Sequence, residues 1–176
     1  MQTQYDPIVQ YKARFISVVS KNNWEYVNRN TSSGNIVSVL AITENKEVVL
    51  VEQFRIPVNK YVLECPAGLI DDGEEPLVAI KRELLEETGY ISNNWKQIYT
   101  SPKSPGIISE IEYAFIATDC KKVEDGGGIE NEKIVVQIVQ LENLDNWLLG
   151  TMSMNRMVSS GIYAKLYHYN DLNLTH

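Results

Sequence analysis

Three glutamates have a spacing that suggests a shared chemical role. They stand at positions i, i+3 and i+4 of a helix-like segment and are Glu83, Glu86 and Glu87. That spacing puts three carboxylates on one face of a helix. Like charges repel there, and Glu86 and Glu87 also lie near the negative C-terminal end of the helix dipole. A divalent cation would offset both penalties, since Mg²⁺ prefers carboxylate oxygens and often bridges to substrate phosphates. Taken alone, the three glutamates are equally typical of a solvated surface helix.

The helix that carries these carboxylates is predicted over residues 76–88. Pro76 suits the first turn of a helix, and Gly89 is typical of a C-terminal cap. Arg82 lies one turn before Glu86 and can offset part of the repulsion as its i, i+4 partner. Apolar residues at helical spacing predict one buried face, made of Leu77, Ile80 and Leu84.

The spacing around this helix is more specific than the glutamates alone. Five residues separate Gly68 from Glu74, and seven separate Glu74 from Arg82, after which the pattern Arg-Glu-aliphatic-x-Glu-Glu-x ends at Gly89. Seven fixed positions at about 7% each arise by chance on the order of once in a million chains. The segment resembles the Nudix box, and Tyr90 is the one departure, because an aliphatic residue is usual there.

Segments outside the box resemble one branch of the Nudix hydrolases, the ADP-ribose pyrophosphatases and related hydrolases of nucleoside diphosphate sugars. The resemblance covers the chain from about residue 12 to 168. It implies hydrolysis of the diphosphate bond of ADP-ribose or a related nucleotide sugar, dependent on Mg²⁺ with Mn²⁺ as a substitute. The products would be a nucleoside monophosphate and a sugar phosphate. The matching segments are 24–29, 52–55, 63–71, Ser104-Pro105-Gly106 with Ser109-Glu110, and 130–134.

The resemblance also implies metal-binding and catalytic roles. Glu86 matches a residue that shares or orients a metal ion, and Arg82 is grouped with it and Glu130 as a catalytic residue. Glu130 matches the general base, with Glu110 as one of two alternatives. The glycines at 126–128 indicate either a hairpin tip or a mobile loop that brings this base in after the substrate binds. The implied metal ligands are Glu83, Glu87, the main-chain carbonyl of Ala67 and Glu132, which is also the second alternative base.

Substrate-binding roles follow from the same resemblance. Trp24 would stack on the nucleobase, and Glu25 would accept a hydrogen bond from it. Arg29 and Arg55 would contact the diphosphate or the second sugar, and Glu110 completes the set. Considered alone, Trp24 is more typical of a core residue, and the arginines of surface ion pairs. The resemblance further implies a homodimer with exchanged N-terminal strands.

Two other functions are compatible with the box. One is hydrolysis of another nucleotide, such as a nucleoside triphosphate or a capped RNA. The other is a non-catalytic module that senses a nucleotide sugar and regulates a partner. The flanking segments and the lack of a basic patch disfavour the first, and the complete set of box carboxylates disfavours the second.

The overall charge sets further limits. Sixteen Lys and Arg against 23 Asp and Glu give a net charge of −7 without a basic stripe, so a nucleic-acid partner is not expected. The apolar runs are far shorter than the roughly 20 residues of a membrane helix. The N-terminus lacks the features of a signal peptide. Two cysteines without CxxC spacing, Cys65 and Cys120, predict buried thiols and a cytoplasmic location.

The periodicity predicts an α+β fold, an α/β/α sandwich with a mixed β-sheet and an N-terminal antiparallel β-region. The length suits one domain over 1–176, with strands used for dimerisation up to about residue 35 and the Nudix core after it. Strands are predicted at 13–20, 24–29, 36–43, 48–54, 61–65, 97–100, 111–118 and 134–141. Further helices are predicted at about 142–149 and 154–168, the latter burying Met157, Val158, Ile162 and Leu166.

Overall fold

The computed structural model describes residues 6–30, 33–128, 133–152 and 156–174, and for residues 173 and 174 it describes the backbone only. The strands are β1 (Ile8–Lys12), β2 (Ile16–Lys21), β3 (Trp24–Arg29), β4 (Ile36–Thr43), β5 (Glu47–Arg55), β6 (Lys60–Glu64), β7 (Ala67–Leu69), β8 (Tyr90–Ile91), β9 (Asn94–Pro102), β10 (Ile111–Lys122), β11 (Ile134–Gln140) and β12 (Arg156–Val158). The helices are α1 (Pro76–Thr88), α2 (Leu144–Met152) and α3 (Ser160–Leu174), with 3₁₀ turns at Ile56–Val58 and Leu141–Asn143.

A mixed sheet forms the centre of the molecule. Its main path runs β12-β6-β5-β4-β10-β8, and β11, β7 and β9 pair with β5, β4 and β10. The β4–β10 and β6–β12 pairs are parallel, whereas β5 pairs antiparallel with β4, β6 and β11. The parallel pairs make the sheet mixed, as the sequence predicts.

Both faces of this sheet are covered by helices, because its central strands are apolar on both sides. In β4, Leu40 and Ile42 join the core cluster that includes residues of α2 and α3. The alternate residues Val39 and Ala41 join the cluster that includes residues of α1. A strand that buries both faces reads as a continuous apolar run rather than an alternating one. This layering confirms the predicted α/β/α sandwich.

Helix α1 has the predicted bounds because its ends are locally determined. Pro76 occupies its start, and Gly89 adopts φ 74° as the C-cap while its N–H donates to the Leu85 carbonyl at 2.8 Å. Ile80 and Leu84 are fully buried as expected. The prediction for Leu77 is wrong, since its side chain is 39% exposed at the first turn.

The N-terminal strands form a separate three-stranded antiparallel sheet in the order β1-β2-β3. Strand β1 was not predicted, and residues 13–15, predicted as the start of β2, lie between the two strands instead. Backbone hydrogen bonds from Val27 to Ile107 (2.8 Å) and from Ser109 to Val27 (3.2 Å) join β3 to the 104–109 turn. Several apolar residues of its outer strand are exposed, including Ile8, Val9 and Tyr11.

The predicted helix over 154–168 is wrong in its first part. Residues 156–158 form β12, which pairs in parallel with β6, and Ser160 begins α3. Met157 and Val158 therefore belong to a strand, and Met157 is 47% exposed. Ile162 and Leu166 are buried as predicted. Within the described residues, none of the helices is both long and apolar enough to cross a membrane.

Candidate active site

A cleft of about 610 Å³ brings most of the predicted site residues together. Helix α1 contributes the carboxylates that share one face, and the β6–β7 connection and the start of β7 contribute backbone. Predicted site residues in the lining are Arg29, Arg55, Ala67, Arg82, Glu83, Glu86, Glu87 and Glu110. Strands distant in sequence thus converge on the acidic helix.

Arg82 organises the acidic face of α1. Its guanidinium donates to Glu74 through Nε (3.1 Å) and Nη2 (2.9 Å), and to Glu83 (2.7 Å) and Glu86 (3.3 Å) through Nη1. The hydrogen bonds from Arg82 lower the pKa of Glu74, and those to Glu74 raise the pKa of Arg82 in turn. The sequence anticipated the Glu86 contact, but the bidentate partner is Glu74.

The glycine that opens the box permits a close approach of Glu83. A Cβ atom added to Gly68 would lie 1.9 Å from Cδ of Glu83, so no larger residue fits without displacing that carboxylate. Glu87 is buried, and its Oε2 accepts the Ala67 N–H at 3.0 Å. The β7 backbone therefore holds Glu87 by a hydrogen bond and leaves room for the carboxylate of Glu83.

The donor set of this face fits a hard divalent cation. Three glutamates, Glu83, Glu86 and Glu87, present oxygen to one cleft, which is the ligand type that Mg²⁺ and Mn²⁺ prefer. Across the described ranges, no three Asp, Glu, His or Cys side chains converge on a single ligating point. Arg82 holds Glu83 and Glu86 instead. A cation entering here would compete with that guanidinium.

Both predicted phosphate-binding arginines line the cleft in ion pairs. Arg29 pairs with the buried Glu110, and Arg55 pairs with Glu64 at 2.7 Å. Their side chains remain 35% and 46% exposed. An anionic ligand can therefore reach either guanidinium. Glu110 is engaged by Arg29 rather than standing free as an alternative base.

The structure does not bring Trp24 and Glu25 to the cleft of a single chain. Trp24 is 58% exposed, and its Nε1–H donates to the Gly106 carbonyl at 3.3 Å. Interpretation of Trp24 as a core residue is therefore wrong. Glu25 follows it on β3 and is also exposed. Their assignment to a base pocket stays a prediction.

Glu130 and Glu132 lie outside the described residues, so their predicted roles are not located. The segment before them docks on the end of α1. The N–H groups of Gly127 and Gly128 donate to the carbonyls of Glu87 (2.8 Å) and Glu86 (3.1 Å), which a helix end leaves without intrahelical partners. These hydrogen bonds attach the residues just before position 129 to the acidic helix α1.

Sequence reasoning missed a buried polar network in the same cleft. Lys165 of α3 is 1% exposed and contacts Glu112 of β10 at 3.1 Å. Although burial opposes both charges, mutual attraction and hydrogen bonds lower the pKa of Glu112 and raise that of Lys165. The sequence does contain a sign that Glu112 is buried. Glu112, Ala114 and Ile116 are alternate residues of one strand and therefore share a face, and the other two are apolar. A charged residue on a buried face requires a partner.

Both cysteines are free and buried, as predicted. Burial raises the pKa of Cys65 and of Cys120 to about 11, so both thiols are neutral at pH 7. Cys65 lines the cleft but offers no thiolate nucleophile. The chemistry of the cleft therefore rests on its carboxylates and cations.

Comparison with known proteins identifies similar sequences and a similar fold. The family model for the NUDIX domain matches residues 33–156. The chain is 38% identical over 99 residues to the methanol dehydrogenase activator of Bacillus methanolicus, which covers 56% of this chain and 54% of that protein. It is 37% identical over 108 residues to the ADP-ribose pyrophosphatase of Bacillus subtilis (strain 168), covering 61% and 58%. It is 39% identical over 112 residues to the GDP-mannose pyrophosphatase of Cronobacter sakazakii, covering 58% of each.

The alignments thus span little more than half the length of these three relatives, between 54% and 58%. A solved structure described as an ADP compounds hydrolase superimposes with a TM-score of 0.64 over 85% of this chain and 86% of the other. At 20% identity, this match supports the fold alone.

Proposed function

Because the chain belongs to the NUDIX domain family, we propose that it hydrolyses the diphosphate bond of ADP-ribose or a related nucleoside diphosphate sugar. One observation carries the proposal. The three carboxylates of α1 line the same cleft as Arg29 and Arg55, so groups suited to a metal and to phosphate oxygens face one space. The names of two relatives, an ADP-ribose pyrophosphatase and a GDP-mannose pyrophosphatase, support the substrate class.

Glu83, Glu87 and the Ala67 carbonyl are proposed to hold Mg²⁺, with Glu86 sharing or orienting it and Glu132 as a further ligand. When bound, the cation neutralises phosphate oxygens and lowers the pKa of a water. Glu83 and Glu86 would hold the cation in place of their contacts with Arg82, and the bidentate contact with Glu74 would keep the Arg82 guanidinium in position.

The other residues bind the substrate and move a proton. Arg29 and Arg55 are proposed to bind the diphosphate, since a guanidinium matches phosphate geometry bidentately. Glu110 orients Arg29 through their ion pair. Glu130 is proposed to accept the proton of the attacking water. Attack at the nucleoside phosphorus then releases a nucleoside monophosphate and a sugar phosphate.

A substrate panel tests the proposal. The purified chain is incubated with ADP-ribose, ADP-glucose, GDP-mannose and a nucleoside triphosphate, with Mg²⁺, with Mn²⁺ or with a chelator, and the products are separated chromatographically. We expect cleavage of at least one nucleotide sugar, dependent on the cation, into a monophosphate and a sugar phosphate. Cleavage of the triphosphate alone, or of no compound with either cation, would contradict the proposal.

We further propose that the active form is a homodimer that shares its N-terminal strands. The β1–β3 sheet stands apart from the main sheet, and apolar side chains such as Ile8 (63%) and Tyr11 (63%) are exposed on it. Large exposed apolar patches mark interaction surfaces. A partner chain would also offer the route by which Trp24 and Glu25 reach a base pocket.

A further inference from the structure

A second group of polar and charged side chains lines the cleft, and none of them belongs to α1. We name this group, Ser38, Lys103, Glu112 and Lys165, the lysine cluster. Its members come from β4, the segment after β9, β10 and α3. Four separate parts of the chain therefore meet to form it.

Glu112 is the centre of the lysine cluster. Its Oε1 accepts hydrogen bonds from Ser38 and from Lys165 (3.1 Å), and its Oε2 lies 3.3 Å from the Lys103 ammonium. Lys165 also donates to the Tyr99 hydroxyl (3.3 Å) and the Gly161 carbonyl (3.4 Å), which accounts for its three donors. The contact with Glu112 uses one of the three donors of Lys103.

The lysine cluster carries one positive charge in excess, because one carboxylate lies between two ammonium groups. Lys165 is 1% exposed, and its ion pair with Glu112 balances the charge of that carboxylate. Lys103 has a 36% exposed side chain, so the excess charge is accessible there. Each arginine among the described lining residues already has at least one carboxylate partner. The cleft is thus acidic at α1 and cationic at Lys103.

A second cavity of about 400 Å³ adjoins the cleft at the lysine cluster. Lys103, Glu112 and Gly161 line both spaces. The other lining residues of the second cavity are Tyr99, Ser101, Pro102, Ser160, Ala164 and His168. Hydroxyl groups and ring faces of this kind suit a polyol such as a sugar.

We propose that Lys103 binds the phosphate of the sugar phosphate half of the substrate, with the attached sugar in the second cavity. Glu112 is a positioning residue that holds the Lys103 ammonium at the junction of the two spaces, and Lys165 neutralises Glu112 so that the charge of Lys103 stays in excess. The identity of the ligand rests on the proposed function, whereas the anion site rests on the cluster alone. The sugar phosphate half of the substrate then lies at the cationic end of the cleft, and its diphosphate extends toward the acidic end at α1.

Direct binding tests the site without requiring turnover. Ribose 5-phosphate, AMP and phosphate-free D-ribose are titrated into the protein with Mg²⁺ and followed calorimetrically. We expect Lys103→Met to weaken ribose 5-phosphate binding roughly tenfold, as the loss of one charge-assisted hydrogen bond does, and to leave AMP within about twofold. Lys96→Met, an exposed lysine of β9 outside the cleft lining, is the matched control and leaves both unchanged.

A double-mutant cycle separates the effect of the excess positive charge from an effect on stability alone. Lys165→Met leaves Glu112 with Lys103 as its one cationic partner among the described residues and so cancels the excess charge. It is expected to weaken ribose 5-phosphate binding about as much as Lys103→Met. Lys165→Met combined with Glu112→Gln returns the excess charge to Lys103 and restores binding. A purely structural role of the buried pair predicts no such recovery.

The outcomes for the site and for the proposed function are distinguishable. Hydrolysis of a nucleotide sugar with binding of ribose 5-phosphate unaffected by Lys103→Met, or absent from the wild type, overturns the site and leaves the function standing. Equal weakening of AMP and ribose 5-phosphate also overturns it. Binding of ribose 5-phosphate that depends on Lys103, without any hydrolysis, supports the site and contradicts the function.

Discussion

At the scale of single residues, the arrangement of charges explains how an acidic helix face is stable before it binds anything. Glu83 and Glu87 would repel at i, i+4, but Glu83 is held by Arg82 and Glu87 by the Ala67 N–H. The cost of the like charges is therefore met by two different donors. A cation can replace the first donor without disturbing the second.

The buried carboxylate of Glu87 gives the sharpest test of the metal assignment. We expect Glu87→Gln to lower cation-dependent kcat by about a hundredfold or more, because metal coordination supplies several kcal/mol of transition-state stabilisation. The fold should persist, since a glutamine oxygen can still accept the Ala67 N–H. Glu142→Gln, an exposed residue outside the cleft, serves as the control. Wild-type turnover by Glu87→Gln at saturating Mg²⁺ would remove Glu87 from the ligand set.

Glu74 predicts how stability depends on pH. Hydrogen bonds from Arg82 hold the pKa of Glu74 below its ordinary value of 4.5. The folded state then binds fewer protons at this group than the unfolded state, so its stabilisation is present above pH 4.5 and is lost as the pH falls through the folded pKa.

We therefore expect Glu74→Gln to lower the unfolding free energy by about 1 to 2 kcal/mol at pH 7. The difference from wild type should shrink as the pH falls below 4.5. Urea unfolding between pH 7 and pH 3 measures this, with the exposed neighbour Glu75→Gln as control. A difference that stays constant with pH would show that the Arg82 contact does not require ionised Glu74.

The proposed general base is tested by a kinetic split. We expect Glu130→Gln to lower kcat by at least about a hundredfold and to change KM far less, because a base acts in the transition state. Steady-state kinetics on the substrate found by the panel provide both constants. An unchanged kcat would move the base to Glu132 or Glu110, of which Glu110 already pairs with Arg29.

At the scale of elements, two close backbone approaches join α1 to the segment that follows β10. A Cβ atom on Gly126 would lie 2.3 Å from the carbonyl carbon of Thr88, and one on Gly89 would lie 1.9 Å from the Glu124 carbonyl oxygen. Backbone cannot move aside as a flexible side chain can. Glycine is therefore required both at the end of α1 (Gly89) and in the segment that follows β10 (Gly126).

We expect Gly126→Ala to destabilise the protein by about 1 to 3 kcal/mol, because the clash also breaks the bonds that Gly127 and Gly128 make to α1. Gly150→Ala, inside α2 with open space at its Cβ position, should be neutral or stabilising by up to about 1 kcal/mol. Urea unfolding compares the two variants. Equal stability of both would mean that the contact at Thr88 yields without cost.

Elements whose ends are locally determined were predictable from the sequence, and those fixed by distant pairing were not. The bounds of α1 follow from Pro76 and Gly89, and β4 follows from its apolar run. Residues 156–158 carry a pattern compatible with a helix, but pairing with β6 makes them a strand. Local propensity is a weak prior that tertiary contacts override.

At the scale of the whole molecule, the chain has a net charge of −7, but its cleft has an acidic end at α1 and a cationic end at Lys103. The box fixed the acidic pole from sequence, since its carboxylates are spaced along one helix. The cationic end could not be seen in the sequence, because Lys165 follows Glu112 by 53 positions and reaches it and Lys103 only when α3 packs on the sheet. A lysine in a C-terminal helix is ordinarily taken as solvated, and Lys165 is not.

The N-terminal sheet predicts that two chains assemble into a dimer. We expect light scattering after size exclusion to give twice the chain mass of 20.0 kDa, since the exposed apolar side chains of the N-terminal sheet are buried most simply by a second copy. Tyr11→Glu on β1 should then shift the mass toward that of one chain. A wild-type monomer with full activity would contradict the dimer proposal.

If Trp24 stacks on the nucleobase within that dimer, Trp24→Ala should raise KM about tenfold with little change in kcat, because base–aromatic stacking contributes about 1 to 3 kcal/mol. Tyr167→Ala, an aromatic residue of α3 that is 71% exposed, is the control. Mixing Trp24→Ala with Glu87→Gln chains places a wild-type Trp24 beside a wild-type acidic helix only across an interface. Recovery of low-KM activity on mixing supports a base pocket shared by two chains, and the absence of recovery in proven heterodimers places Trp24 and Glu87 in the site of one chain.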